Sequence, residues 1–114
     1  MYWRKVIYNG SVPRSKKWPS VRNAFLKKNP SCAACGNKKL SELEVHHIRP
    51  YYAYPFLELK EENLIVLCEG SGNCHFVWGH LLNWRAWNLS VRKDAKAFLN
   101  KIKKRQTNDL ESEG

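Results

Sequence analysis

All four cysteines and all four histidines fall between positions 32 and 80, in one order: Cys32-x2-Cys35, His46-His47, Cys68, Cys74-His75, then His80. Nothing outside that window can bind a soft or borderline metal through thiolate or imidazole. The order separates two jobs. Four thiolates can close a structural metal site, and the histidines between and after them are left for chemistry. A chain of 114 residues is expected to form one domain. A domain that small buries only about two-thirds of its unfolded surface, so a staple helps it.

Disulfides or a metal site could provide the staple. Met1 to Tyr8 has no long apolar core and no small-residue cleavage pattern. No stretch approaches the roughly 20 apolar residues of a membrane span. The expectation is a cytoplasmic chain with reduced thiols and no membrane contact, which favours zinc over two disulfides. Cys32-Ala-Ala-Cys35-Gly36 reads as a knuckle whose thiolates fold round one ion, the glycine allowing the turn. Cys68 and Cys74 are the candidates for the second pair. Gly70 and Gly72 make the loop between them pliable, and enlarging a short loop costs little closure entropy. The bland alternative is that Cys68 or Cys74 is a buried free thiol.

Twenty Lys and Arg against ten Asp and Glu leave a net charge of +10. Three of the acids (Asp109, Glu111 and Glu113) lie at the C-terminal end, so the excess over residues 1–108 is larger still. Nucleic acid is the first candidate partner for such a surface, with a basic face kept for solubility as the alternative.

Residues 1–15 are basic and aromatic, with turn signals at Asn9-Gly10 and Pro13. A helix is expected from about Ser15 or Pro19 to Asn29, on the spacing of Trp18, Val21, Phe25 and Leu26, with Pro30 stopping it. Leu43 to Ile48 and Leu64 to Cys68 read as two short strands, and Arg49 to Asn63 as a long loop between them. Phe76 to Trp87 reads as a helix. Ser90 is placed to cap a last helix with the apolar stripe Val91, Ala95, Phe98, Leu99 and Ile102. Residues 107–114 read as a disordered acidic tail. Adjacent histidines on a regular strand face opposite sides. His46 and His47 therefore cannot both ligate one ion, and one of them stays free to accept a proton from water.

Cys32-x2-Cys35, Glu44-Val-His46-His47-Ile48, Glu62-Asn63-Leu64-Ile-Val-Leu-Cys68 and Cys74-His75 together resemble the HNH endonucleases. The resemblance covers about residues 32–80 and lies in the combination, since each piece alone is weak. It implies a small α+β domain over residues 1–106. At its centre would lie a ββα-metal (His-Me finger) motif, with a four-cysteine structural Zn2+ site at Cys32, Cys35, Cys68 and Cys74 and flanking helices.

The resemblance also implies site roles. His47 matches the general base that activates the attacking water. His46 matches the preceding position, a ligand of a catalytic divalent ion (Mg2+, Mn2+, Ni2+ or Zn2+). Asn63 matches the Asn that braces the loop of the base, and His75 matches the final His, a further ligand. The ion would polarise the scissile phosphate and stabilise the leaving 3′ oxygen. The implied activity is hydrolysis of DNA phosphodiester bonds, nicking or cleaving to leave 5′-phosphate and 3′-hydroxyl ends. The implied partner is double-stranded DNA in a bacterial or phage-infected cell, with protein partners of a DNA-processing or packaging complex as further candidates. The competing reading is a non-catalytic zinc-containing DNA-binding or accessory module.

His80 departs from the family spacing. It follows His75 by five residues, about 140° round an α-helix, and counts as a ligand only if Gly79 lets the backbone distort. Arg49, beside the active-site strand, is the candidate phosphate contact. Trp78, Trp84 and Trp87 read as core before base-stacking residues. Tyr51, Tyr52 and Tyr54 could pack on the knuckle or line the DNA.

Overall fold

The computed structural model describes residues 13–70 and 72–113. The readings for Met1 to Ser11, including the Asn9-Gly10 turn, lie outside the described residues.

Helix α1 spans Trp18–Lys28. Pro19 sits in its first turn, where a missing N–H leaves nothing unpaired. Asn29 closes it, with its backbone N–H donating to the carbonyls of Phe25 and Leu26 and its side chain to Phe25. The knuckle follows. The Gly36 amide donates to Cys32 O, and Gly36 takes φ of 80°, a left-handed conformation free for glycine.

Strands β1 (Leu43–His47) and β2 (Leu64–Cys68) pair antiparallel, with Leu43 opposite Cys68 and His47 opposite Leu64. All five residues of β2 are buried. This strand is sandwiched, which explains its unbroken apolar run. On its free side the Ala33 amide donates to Val66 O, so the knuckle is tied to the sheet. Around Leu64, Leu67, Val45 and Phe25 a single core gathers, closed by Val91 and Ala95 of the last helix. Each such apolar side chain contributes about 1.5–3 kcal/mol by leaving water.

Beyond Cys74 the expected helix from Phe76 to Trp87 does not form. A five-residue π-helical turn, His75–Gly79, takes its place, followed by turns in which Leu81 and Leu82 have φ of 52° and 66°. The reason lies at Gly79. A Cβ there would press on the His46 ring and Leu67 at 3.2 Å, so glycine lets the widened turn lie close against the sheet without displacing either. The Leu82 amide then donates to Phe76 O, closing the turn early. At the next junction Asn88 rather than Ser90 supplies the side-chain bonds, donating to Trp78 O and the Asp94 carboxylate and accepting from the Ser90 amide.

Helix α2 spans Val91–Glu113. Its stripe is as expected: Val91 and Ala95 are buried, and Phe98 packs on Trp78 with ring centroids 5.2 Å apart. The backbone stays helical past Gln106, where the sequence reading begins a disordered tail. No proline or glycine interrupts residues 107–113, so no stop signal is present. Among the described residues no helix is long and apolar enough to cross a membrane.

Candidate metal centres and catalytic site

The sheet separates two clusters. The first joins the knuckle to the end of β2: Cys32, Cys35, Cys68 and Cys74 bring their sulfurs within 4.8 Å of one another, and none is in a disulfide. Cys35 and Cys68 sulfurs lie 3.7 Å apart. Four sulfurs at about 2.3 Å from one tetrahedral ion would stand about 3.8 Å apart. The donor set therefore fits a metal ion, and the five-residue interval between Cys68 and Cys74 is no obstacle. Cys32 is pushed down to about 4, first because the Cys74 thiol donates to it and further by surrounding backbone amides, while burial opposes the shift. Cys74 is pushed up, first by that same bond and then by burial. Burial raises Cys35 to about 11. The charge on Cys32 adds to the upward shift of both Cys74 and Cys35. A cation among them would relieve that repulsion.

The second cluster is imidazole. His46 leaves β1 toward the π turn, and its ring meets those of His75 and His80 at centroid distances of 4.8 and 5.0 Å. One ring nitrogen from each lies within 4.8 Å of the others. The π turn is what brings His80 in. Its i→i+5 closure stacks residues five apart, whereas an α-helix would have sent His80 aside. His75 Nδ1–H donates to the Glu69 carboxylate at 2.8 Å, and His80 Nδ1–H donates to Ala86 O at 3.0 Å. Each therefore keeps an Nε2 lone pair for an ion, the arrangement in which outer partners orient metal-binding histidines. His46 Nδ1 lies 3.0 Å from His75 Nε2, and its own Nε2 is buried without a partner. Burial, reinforced by the neighbouring rings, pushes His46 down to about 3. Burial also lowers His80. Both stay neutral at physiological pH, the form that ligates metal.

His47 points the other way, as strand alternation requires. Its Nε2–H donates to Glu58 O at 3.0 Å, and its ring packs on Trp18 at 4.4 Å. That bond fixes the tautomer and leaves the lone pair on Nδ1. Burial lowers the His47 pKa, partly offset by the Glu58 carbonyl.

Asn63 is 4 % exposed. Its Oδ1 accepts the Arg49 amide at 2.9 Å and its Nδ2 donates to Arg49 O at 3.0 Å, spanning the loop that follows His47. From α2, Arg92 donates to the carbonyls of Glu62 and Leu64 on either side of Asn63. Replacing Asn63 by Asp exchanges two N–H donors for a buried carboxylate. The loop should loosen at a cost of about 1–3 kcal/mol, read as a lower urea midpoint. An unchanged midpoint would show that the brace is dispensable.

Arg49 is half-buried, its guanidinium bonded to the Tyr54 hydroxyl at 3.3 Å and lying 5.1 Å from that ring. Of Trp78, Trp84 and Trp87, Trp78 is the one that packs against the core. Trp84 is 55 % exposed and lies across His75 and His80, and Trp87 donates to the Tyr52 hydroxyl and packs edge-on to Tyr54. Composition alone misjudged both because residues 80–88 are turns instead of a helix face. The sequence reading also missed Glu69 and Glu58. Glu69 stands next to Cys68 in the chain, which was its only signal. Glu58 is buried at 4 % exposure, accepts the Ser15 amide and pairs with Arg14 at 3.5 Å. Nothing in its local sequence marks it.

No curated protein and no solved structure matches the chain. Residues 32–75, which carry the four cysteines, both strands, Asn63 and three of the four histidines, match the family model for HNH endonuclease.

Proposed function

We propose that this protein is a metal-dependent endonuclease that hydrolyses DNA phosphodiester bonds, leaving 5′-phosphate and 3′-hydroxyl ends. The observation that carries the reading is the division of labour across β1. His46 joins His75 and His80 in a cluster whose lone pairs converge, while the adjacent His47 is held alone on the other face by Glu58 O. A binding module needs no such separated imidazole.

In this reading His46, His75 and His80 hold a divalent ion, and Cys32, Cys35, Cys68 and Cys74 hold a structural zinc. When bound, the divalent ion supplies Lewis-acid polarisation of the phosphate and of the leaving 3′ oxygen. The remaining chemistry belongs to the chain. His47 Nδ1 takes the proton of the attacking water, and Glu58 O stabilises the resulting imidazolium through Nε2–H. Asn63 keeps the loop after His47 fixed, so that base and phosphate meet in constant geometry. The excess of basic residues attracts the duplex.

Supercoiled plasmid incubated with purified protein and a panel of divalent ions tests the reading. Nicked product is expected with at least one ion and none in chelator. Duplex affinity should fall steeply as salt rises, because phosphate contacts release counterions. Tight, salt-sensitive binding without nicking under any ion would leave the non-catalytic binding module instead.

A further inference from the structure

Next to the histidine cluster the chain does something costly. Leu81 and Leu82 are 50 % and 65 % exposed, and both occupy left-handed backbone, where a residue with a Cβ is disfavoured. Each such residue costs about 1–2 kcal/mol relative to ordinary helix. Apolar side chains are thus held out in water, at strained positions where Gly or Asn would be relaxed. The fold gains no core from them. The turn is nevertheless firmly held: Leu82 N donates to Phe76 O at 2.9 Å, Asn83 N to His80 O at 3.0 Å, and His80 Nδ1 bonds Ala86 O. Trp84 continues the ridge, with its ring 4.8 Å from His80 and 5.4 Å from His75.

We infer that Leu81, Leu82 and Trp84 form an apolar wedge that enters a base step of duplex DNA beside the phosphate to be cut. The inference rests on the nuclease reading above. Two features select nucleic acid as the occupant. The ridge borders the histidine cluster, so anything covering it also lies over the site where the phosphate binds. Arg85 follows Trp84 directly and is exposed, and the chain carries twenty Lys and Arg against ten Asp and Glu, so the ridge suits a polyanion although Glu69 stands behind His75. Leucine side chains on a rigid turn are the means by which proteins part stacked bases and kink a duplex, at the expense of unstacking. Trp84 would offer its face to the exposed base, a contact that tolerates any sequence.

The test is the double variant Leu81→Gly/Leu82→Gly, which removes the two leucines of the wedge, leaves Trp84 in place and relieves the backbone. It should fold at least as stably as wild type and keep its zinc. Duplexes carrying 2-aminopurine at successive positions are titrated with zinc-loaded protein without added divalent ion. Wild type should raise the fluorescence several-fold at one or two adjacent positions, while the variant binds the same duplexes without the rise. Duplex nicking by the variant should drop about tenfold or more, because the unstacking that the leucines drive is worth a few kcal/mol per step. Cleavage at a pre-formed mismatch bubble, where no unstacking is needed, should be largely spared.

Wild type that binds and nicks duplex with flat fluorescence at every position would overturn the wedge and leave the nuclease intact. Wild type that binds no DNA would overturn both. If flat fluorescence accompanies concentration-dependent self-association that the double variant abolishes, the ridge belongs to a second copy of the chain.

Discussion

The Cys35→Ser variant is expected to lose its zinc and, with it, the folded core. Cys32, Cys68 and Cys74 are buried to within 2 % of full enclosure, among the same residues that pack β2. The thiol cluster is therefore part of the core. Structural zinc in finger-type sites has an apparent binding free energy of about 10–16 kcal/mol, while a whole domain is stable by only about 5–15 kcal/mol. Serine offers a poor ligand and a hydroxyl in a cluster built for sulfur. Elemental analysis should find about one zinc per wild-type chain. The variant should show none, together with a collapsed urea transition or outright aggregation. Well-folded wild-type protein devoid of zinc would defeat the assignment.

The second large effect lies at His47. His47→Ala removes the proposed base and leaves the cluster of His46, His75 and His80 untouched, because the two sets face opposite sides of β1. Nicking should fall by about 10²–10⁴-fold, the usual worth of general-base help, while DNA and divalent-ion binding persist. His75→Ala should instead weaken the ion site, so that raising the ion concentration recovers part of the rate. Zinc content should survive both changes. If His47→Ala nicks plasmid as fast as wild type, the base is another group, and the role drawn from the family resemblance fails at its central residue.

The sequence made legible whatever depends on spacing along one element. The two strands are found where branched residues cluster, and the apolar run Leu64 to Cys68 is the wholly buried strand. Alternation on β1 was enough to part His46 from His47. The four cysteines converge although their second pair is widely spaced, since that loop is free to bulge. What depends on contacts between distant residues was hidden. The π turn is set by Gly79 lying against the His46 ring, which sits 33 positions earlier in the chain. Helical periodicity therefore carried the reading wrongly through to Trp87, while His80 entered as a ligand only on the condition that Gly79 distort the backbone, and the structure groups it with His46 and His75. The bond from Arg49 to the Tyr54 hydroxyl is likewise one that spacing does not announce. Glu58 and Glu69 act through a carbonyl and a carboxylate on histidines 11 and 6 positions away, and no local pattern announces such contacts.

Cys74 and His75 are consecutive residues, the first in the sulfur cluster and the second in the imidazole cluster. One peptide unit thus couples the thiol cluster to the imidazole cluster. An oxidant acts on thiols and ignores imidazole, but drawing Cys74 into a disulfide would pull His75 away from His46 and His80. Since sub-ångström misplacement of a reacting constellation is felt strongly in rate, oxidative stress would silence such a site without modifying any of its own side chains. In an inhibition assay, a mild disulfide-forming reagent would mimic a chelator, and a thiol reductant, given with fresh zinc, would restore the enzyme.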